Sequence, residues 1–123
     1  MKYVITISLL IVGVIHLLPL SGVLSSERLL ALYGIDIADP NLEILMRHRA
    51  VLFGLLGAFL VYAAFNPLYQ LIAFIAGFVS ILSFMYLATS VGEYNAQINR
   101  VYIADIVALV SLLCGACVYF YKR

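Results

Sequence analysis

The sequence predicts an all-α integral membrane protein, a four-helix bundle with a short interfacial helix between its first and second helices. Hydrophobic residues make up 66% of the 123 residues and charged residues only 11%, whereas a soluble domain carries about 25% charged residues. The charged residues also stand in short clusters, separated by apolar stretches that match the roughly 20 residues of a membrane span. We therefore predict a single four-helix transmembrane domain over residues 1–123.

The first helix is predicted at about 3–20, an apolar stretch whose only ionisable residue after Tyr3 is His16. This stretch is longer than the roughly 7–15 apolar residues of a secretory signal peptide. We therefore expect it to be a retained membrane helix rather than a cleaved leader.

A polar connection follows, and its segment 25–34 has the pattern of a short amphipathic helix. Ser25 or Ser26 provides an N-cap, and Gly34 provides a stop. Leucines and Tyr33 suit a helix that lies in the membrane interface.

The second and third helices are predicted to form a hairpin. Asp39 followed by Pro40 is the pattern of an N-cap and a first helical residue. No residue from 50 to 92 is charged, and this stretch is too long for one span. It is interrupted at Asn66-Pro67, a sequence typical of a tight turn. Helices two and three are therefore predicted at about 40–65 and 68–91.

A polar link over 92–100 precedes the fourth helix, which is predicted at about 101–121. Small residues recur along the last three helices at the spacing that lets membrane helices approach closely. These residues are Ala50, Gly54 and Ala58 in helix two, Ala73 and Gly77 in helix three, and Ala104, Ala108, Ser111 and Gly115 in helix four.

Four antiparallel spans place both termini on one side of the membrane and the two polar connections on the other, which we call the loop side. Three Lys and Arg residues fall on the terminal side and four on the loop side. Arg47 and Arg49 can belong to the bundle rather than to a loop. The positive-inside rule then favours a multi-pass protein of the bacterial cytoplasmic membrane with cytoplasmic termini.

Most of the charged side chains are predicted to lie at the loop side. Asp105 is the one acid inside a predicted span, where an unpaired carboxylate is costly. Arg47 projects with Gly54 and is predicted to face inward as the partner of Asp105, with Arg100, His16 and Tyr102 as alternatives. Arg49 lies about 200° further round the helix and is predicted to snorkel towards lipid headgroups. The predicted polar or ligand-binding pocket consists of His16, Glu43, Arg47, Arg100, Tyr102 and Asp105.

The structural alternative for this pocket is a polar clamp that fixes the register of the helices. For His16 the corresponding alternative is a neutral, hydrogen-bonded histidine, in place of a ligand or proton relay. No metal, cofactor or catalytic residue is predicted, because no His-x-x-x-His or Glu-x-x-His spacing places two metal ligands on one helix face.

Cys114 and Cys117 have the spacing of a redox motif. They fall in the last turns of a helix, where the negative end of the helix dipole disfavours a thiolate and so a redox role. Both also point away from the stripe of Ala108, Ser111 and Gly115, so we predict that they face lipid.

The segment Arg47 to Gly57, RHRAVLFGLLG, resembles the arginine-then-glycine start of helix two in small DoxX-like four-helix bacterial membrane proteins. The resemblance implies a cytoplasmic-membrane protein, and some relatives are linked to quinone or thiol redox chemistry. It carries over no catalytic residue. Size and helix number are also similar to those of the small multidrug transporters, which depend on a glutamate in their first helix, but helix one here has no acid.

The main hypothesis is a non-enzymatic membrane protein, an accessory or small-ligand-binding bundle. Its predicted partners are the lipid bilayer, a small hydrophobic or anionic ligand, and another membrane protein or a second copy. A net charge of +1 without a basic run argues against nucleic acid. The alternatives are a quinone or thiol redox accessory, and a small proton-coupled transporter with Asp105 as the titrating group.

Overall fold

The protein is described by a computed structural model that covers residues 3–18, 30, 33, 39–92 and 95–121. These residues form four α-helices and no strand, which confirms the predicted all-α, four-helix fold. The helices are α1 (Val4–Leu17), α2 (Pro40–Ala64), α3 (Gln70–Val91) and α4 (Ala96–Tyr121), with a 3₁₀ turn at Pro67–Tyr69 before α3.

The predicted interfacial helix at 25–34 falls mostly outside the described residues. Leu30 and Tyr33 are described, and both are helical. Three segments, Pro40–Ala64, Pro67–Val91 and Ala96–Tyr121, are long and apolar enough to cross a membrane, and α1 is a shorter apolar helix.

Local capping explains where α2 and α3 begin and end. The Asp39 carboxylate accepts a hydrogen bond from the Asn41 N–H at 2.9 Å, and Pro40 occupies the first helical turn, as predicted. At the other end of α2, the buried Gln70 amide donates to the Ala63 carbonyl at 3.2 Å. This bond satisfies a carbonyl that the end of the helix leaves without an intrahelical partner.

The fourth helix begins at Ala96, more than one turn before the predicted start. The Asn95 side-chain oxygen accepts a hydrogen bond from the Ile98 N–H at 2.8 Å and so caps the helix. Gly92 has a φ of 67°, which ends α3 in a conformation that suits glycine. The polar residues before Val101 are therefore the first turn of α4 rather than a loop.

Side-chain contacts show that successive helices run antiparallel. The Thr6 hydroxyl of α1 donates to the Ala64 carbonyl of α2 at 3.1 Å, and the Ser8 hydroxyl donates to the Ser111 carbonyl of α4. These contacts lie at what we call the terminal end. The opposite, loop end holds the last turn of α1 and the first halves of α2 and α4.

Helix α1 packs mainly against α2 and α4, and α3 packs against α4, α2 and, less extensively, α1. Within the described residues, the backbones of α2 and α4 do not approach each other closely. They therefore lie on a diagonal of the bundle, and any space between them is bounded by the other two helices.

The closest approach of α1 and α2 occurs at two glycines. A Cβ atom on Gly57 would lie 2.8 Å from the Gly13 carbonyl oxygen, and a Cβ on Gly13 would lie 2.8 Å from Cγ2 of Val61. Ala58, which was predicted to share this contact, is exposed. The prediction for Ala58 was wrong because the buried stripe continues from Gly54 to Gly57, about 100° away from Ala58.

The other predicted stripes lie against neighbouring helices. Ala73 and Gly77 are buried in α3, and a Cβ on Gly77 would lie 3.0 Å from Leu112 Cδ1. In α4, Ala108 and Gly115 are buried, with Gly115 against Ser8. The small residues therefore allow close helix packing at these positions, as predicted.

The outside of the bundle is apolar. Large hydrophobic side chains such as Leu55, Val79 and Leu82 are exposed along α2 and α3. A water-soluble protein rarely exposes so continuous an apolar surface. Together with the three candidate spans, this surface identifies a membrane-embedded protein.

Candidate functional site

A cavity of about 240 Å³ lies at the loop end of the bundle, between α2 and α4. All four helices contribute to its wall, and Tyr33 from the connection between α1 and α2 contributes as well. Its lining consists of Ile15, His16, Leu18, Tyr33, Arg49, Phe53, Phe84, Gln97, Arg100, Val101, Ala104 and Asp105. Two cations and one acid thus meet a wall that is otherwise mostly apolar.

Arg49 is held between two aromatic rings. Its guanidinium carbon lies 4.5 Å from the centroid of the Phe53 ring and 5.4 Å from that of the Tyr33 ring. Its Nη1 also donates a hydrogen bond to the Tyr33 hydroxyl at 3.0 Å. Cation–π contacts and this bond fix the direction of a side chain that is otherwise flexible.

Tyr33 is itself anchored at its backbone. Its carbonyl accepts a hydrogen bond from the Asn95 side-chain amide at 2.7 Å, and its ring packs near Met46, Ile98 and Val101. Only 3% of the residue is exposed. Tyr33 is therefore part of the protein interior at the loop end, rather than an interfacial side chain as predicted.

Five lining residues belong to α4, and they follow the helical repeat. One face of the helix presents Gln97, Arg100, Val101 and Ala104, which recur at intervals of three to four residues, and Asp105 lies beside this face. Asp105 is half-buried, and Arg49 is near enough for its charge to act on the carboxylate. No hydrogen bond or contact ion pair joins Asp105 to another residue in the described ranges.

His16 stands at the edge of the cavity and connects two helices. It is 3% exposed, and its Nδ1 lies 2.9 Å from the Val12 carbonyl oxygen while its Nε2 lies 2.9 Å from the Ser80 hydroxyl of α3. A carbonyl can only accept, so Nδ1 carries a proton and donates it. The Ser80 hydroxyl can donate to Nε2 or accept from it. Both ring nitrogens are therefore engaged within the protein, which suits a structural histidine that ties α1 to α3.

Three of the six predicted pocket residues line this cavity, namely His16, Arg100 and Asp105. The other three, Glu43, Arg47 and Tyr102, do not belong to its described lining.

Arg49 takes the position that was predicted for Arg47, which corrects the choice between the two arginines. The reason is the rotation of α2. Because the helix packs through Gly57 and Leu60 rather than Ala58, Arg49 and Phe53 turn towards the cavity. An aromatic residue one turn after Arg49 is the sequence signal that could have indicated a stacked arginine.

The cysteines lie outside this site. Cys114 and Cys117 are free and exposed in the second half of α4, towards the terminal end. Their exposure on a membrane helix matches the prediction that they face lipid. Among the described residues, no group of three or more His, Cys, Asp or Glu side chains could hold a metal ion.

Comparison of the chain with protein-family models, with curated proteins and with solved structures gives no match. The resemblance of Arg47 to Gly57 to the DoxX-like proteins therefore stays a prediction.

Proposed function

We propose that this membrane protein binds a small, partly hydrophobic anion in the loop-end cavity, with Arg49 as the main anion-binding group. The observation that carries the proposal is the fixed guanidinium of Arg49 between Tyr33 and Phe53. A guanidinium has five N–H donors in a planar fork that suits carboxylate and phosphate groups. Only one hydrogen bond of this guanidinium is made to another described residue.

Charge and surroundings support an anion with an apolar body. Arg49 and Arg100 outnumber Asp105 among the charged residues of the cavity wall. The rest of the wall includes Ile15, Leu18, Phe53 and Phe84, which favour an aromatic ring or a short hydrocarbon chain. An apolar cavity of roughly 150 Å³ accommodates benzene, so a volume of about 240 Å³ suits one substituted ring.

The protein is thus an accessory or ligand-binding bundle rather than an enzyme, and it acts through its ligand together with another membrane protein or a second copy. One observation argues against a thiol redox accessory: the two cysteines that it would use are exposed and do not line the cavity.

The test uses the full chain in detergent and two probes, 4-methylbenzoate and its neutral analogue 4-methylbenzamide. We expect 4-methylbenzoate to bind, as measured by calorimetry and by a rise in melting temperature, and the amide to bind at least tenfold more weakly. Arg49→Gln should weaken binding of the carboxylate by at least tenfold, because a hydrogen-bonded charge pair contributes about 1.5–3 kcal/mol.

Arg47→Gln is the matched control, since Arg47 lies on the same helix, is also half-buried and does not line the described cavity. It should leave the affinity for 4-methylbenzoate unchanged. Equal affinity of the carboxylate and the amide, or equal loss in the two variants, would contradict the proposal.

We also propose that the protein is a multi-pass protein of the bacterial cytoplasmic membrane with cytoplasmic termini. With Arg49 and Arg100 at the cavity, the loop side retains only Arg28 and Arg47, against Lys2, Lys122 and Arg123 on the terminal side. The positive-inside rule then favours cytoplasmic termini. A reporter fused after Arg123 should be active only in its cytoplasmic form. Activity of a periplasm-dependent reporter at that position would reverse the orientation.

A further inference from the structure

We infer that the ligand of this cavity carries a cationic, hydrogen-bond-donating group as well as its anionic group, and that Asp105 binds the cation. The inference rests on the proposed function of the cavity and narrows its ligand to a small zwitterion with an apolar body. The observation behind it is that Arg49 of α2 and Asp105 of α4 line the same cavity while the backbones of these two helices stay apart.

Asp105 and Arg49 line the same cavity and come from different helices. Arg49 belongs to α2 and Asp105 to α4, and the backbones of these helices do not approach each other closely within the described residues. The two side chains form no hydrogen bond with each other in the described ranges, so a ligand in this cavity of about 240 Å³ can contact both.

The aromatic contacts of Arg49 explain why it does not form an ion pair with Asp105. Its guanidinium is held by the rings of Tyr33 and Phe53 and by the hydroxyl of Tyr33. The Asp105 carboxylate is left half-buried without a donor from any described residue. A ligand with a cationic N–H group at this position would donate a charge-assisted hydrogen bond to this carboxylate.

The space between the two charged groups has an apolar wall. Ile15 and Leu18 of α1, Phe53 of α2 and Phe84 of α3 contribute to it. An ammonium at one end of the ligand, a carboxylate at the other and a single ring or branched chain between them would match this order of groups.

The experiment compares 4-(aminomethyl)benzoate, which has both charges, with 4-methylbenzoate, which has only the anion. In the unmodified full chain in detergent, we expect the zwitterion to bind about tenfold more tightly by calorimetry, the gain of one charge-assisted hydrogen bond. Asp105→Asn keeps the shape of the side chain and removes its charge. It should abolish this difference between the two probes.

Asp39→Asn is the matched control, because Asp39 is exposed at the start of α2 and asparagine is also a good N-cap. It should keep the tenfold preference for the zwitterion. The comparison of the two probes in the unmodified chain stands even if Asp105→Asn does not fold.

The outcomes separate the inference from the proposed function. If 4-methylbenzoate binds through Arg49 and the ammonium adds no affinity, the ligand is a simple anion and the inference is overturned while the proposed function stands. If the preference for the zwitterion persists in Asp105→Asn, another group binds the cation and the inference is again overturned. If neither probe binds, the proposed function fails and the inference fails with it.

Discussion

Replacing Gly57 with leucine is expected to destabilise the protein by about 3 kcal/mol, the upper end of the usual cost of overpacking. A Cβ atom alone at this position would lie 2.8 Å from the Gly13 carbonyl oxygen and 3.0 Å from the Leu17 backbone nitrogen. Both atoms belong to the backbone of α1, so no side-chain rotation can relieve the contact. The two helices would have to separate.

The matched control is the neighbouring substitution Ala58→Leu. Ala58 is exposed on the outer surface of α2, where lipid or detergent accommodates a larger apolar side chain. We expect a change within about 0.5 kcal/mol. Thermal unfolding in detergent should then show a loss of roughly 10 °C for Gly57→Leu and almost none for Ala58→Leu. A larger loss for Ala58→Leu would mean that α2 packs through the stripe predicted from the sequence.

The fold was predictable because its signals are local. The Asp39-Pro40 cap and the Asn66-Pro67 turn depend on residues that are adjacent in the chain, and both occur where they were predicted. The start of α4 was predicted too late because its polar first turn resembles a loop. The Asn95 cap could have indicated the earlier start.

The rotation of α2 could not be predicted from its own sequence. Small residues at 50, 54 and 58 and at 50, 54 and 57 both fit a helical contact stripe. Packing against α1 determines which of the two stripes is buried, because Gly57 lies against Gly13. This contact is non-local, and a change of one position rotates the contact face by about 100°.

The same rotation decides which arginine enters the cavity. The prediction of His16, Arg100 and Asp105 as pocket residues did not depend on the rotation of α2, because the membrane helices have few polar groups near the loop end. Arg49 was missed because it shares a helix face with Leu56 and Leu60, and bulky leucines on a membrane helix favour a lipid-facing position. Leu60 is instead fully buried in the core.

Arg49→Ala should therefore lower the melting temperature in detergent more than Arg47→Ala, the reverse of the order that the sequence suggests. Loss of Arg49 removes its contacts with the rings of Phe53 and Tyr33 and its hydrogen bond to the Tyr33 hydroxyl. Cation–π contacts contribute about 0.5–2 kcal/mol each and the bond from a charged donor about 1.5–3 kcal/mol. Because Arg49 is half-buried and these terms are not additive, we expect a net cost of about 2–4 kcal/mol.

Arg47 does not line the described cavity, and its loss is expected to cost less than the loss of Arg49. Equal losses in the two alanine variants would contradict the packing of Arg49.

A double-mutant cycle with Tyr33→Phe then isolates the hydrogen bond between Arg49 and the Tyr33 hydroxyl, because phenylalanine keeps the ring and removes the hydroxyl. The Arg49 and Tyr33 changes should be less than additive by about 1 kcal/mol or more. Full additivity would mean that Tyr33 does not hold the guanidinium in place, and the anion site would lose its fixed donor.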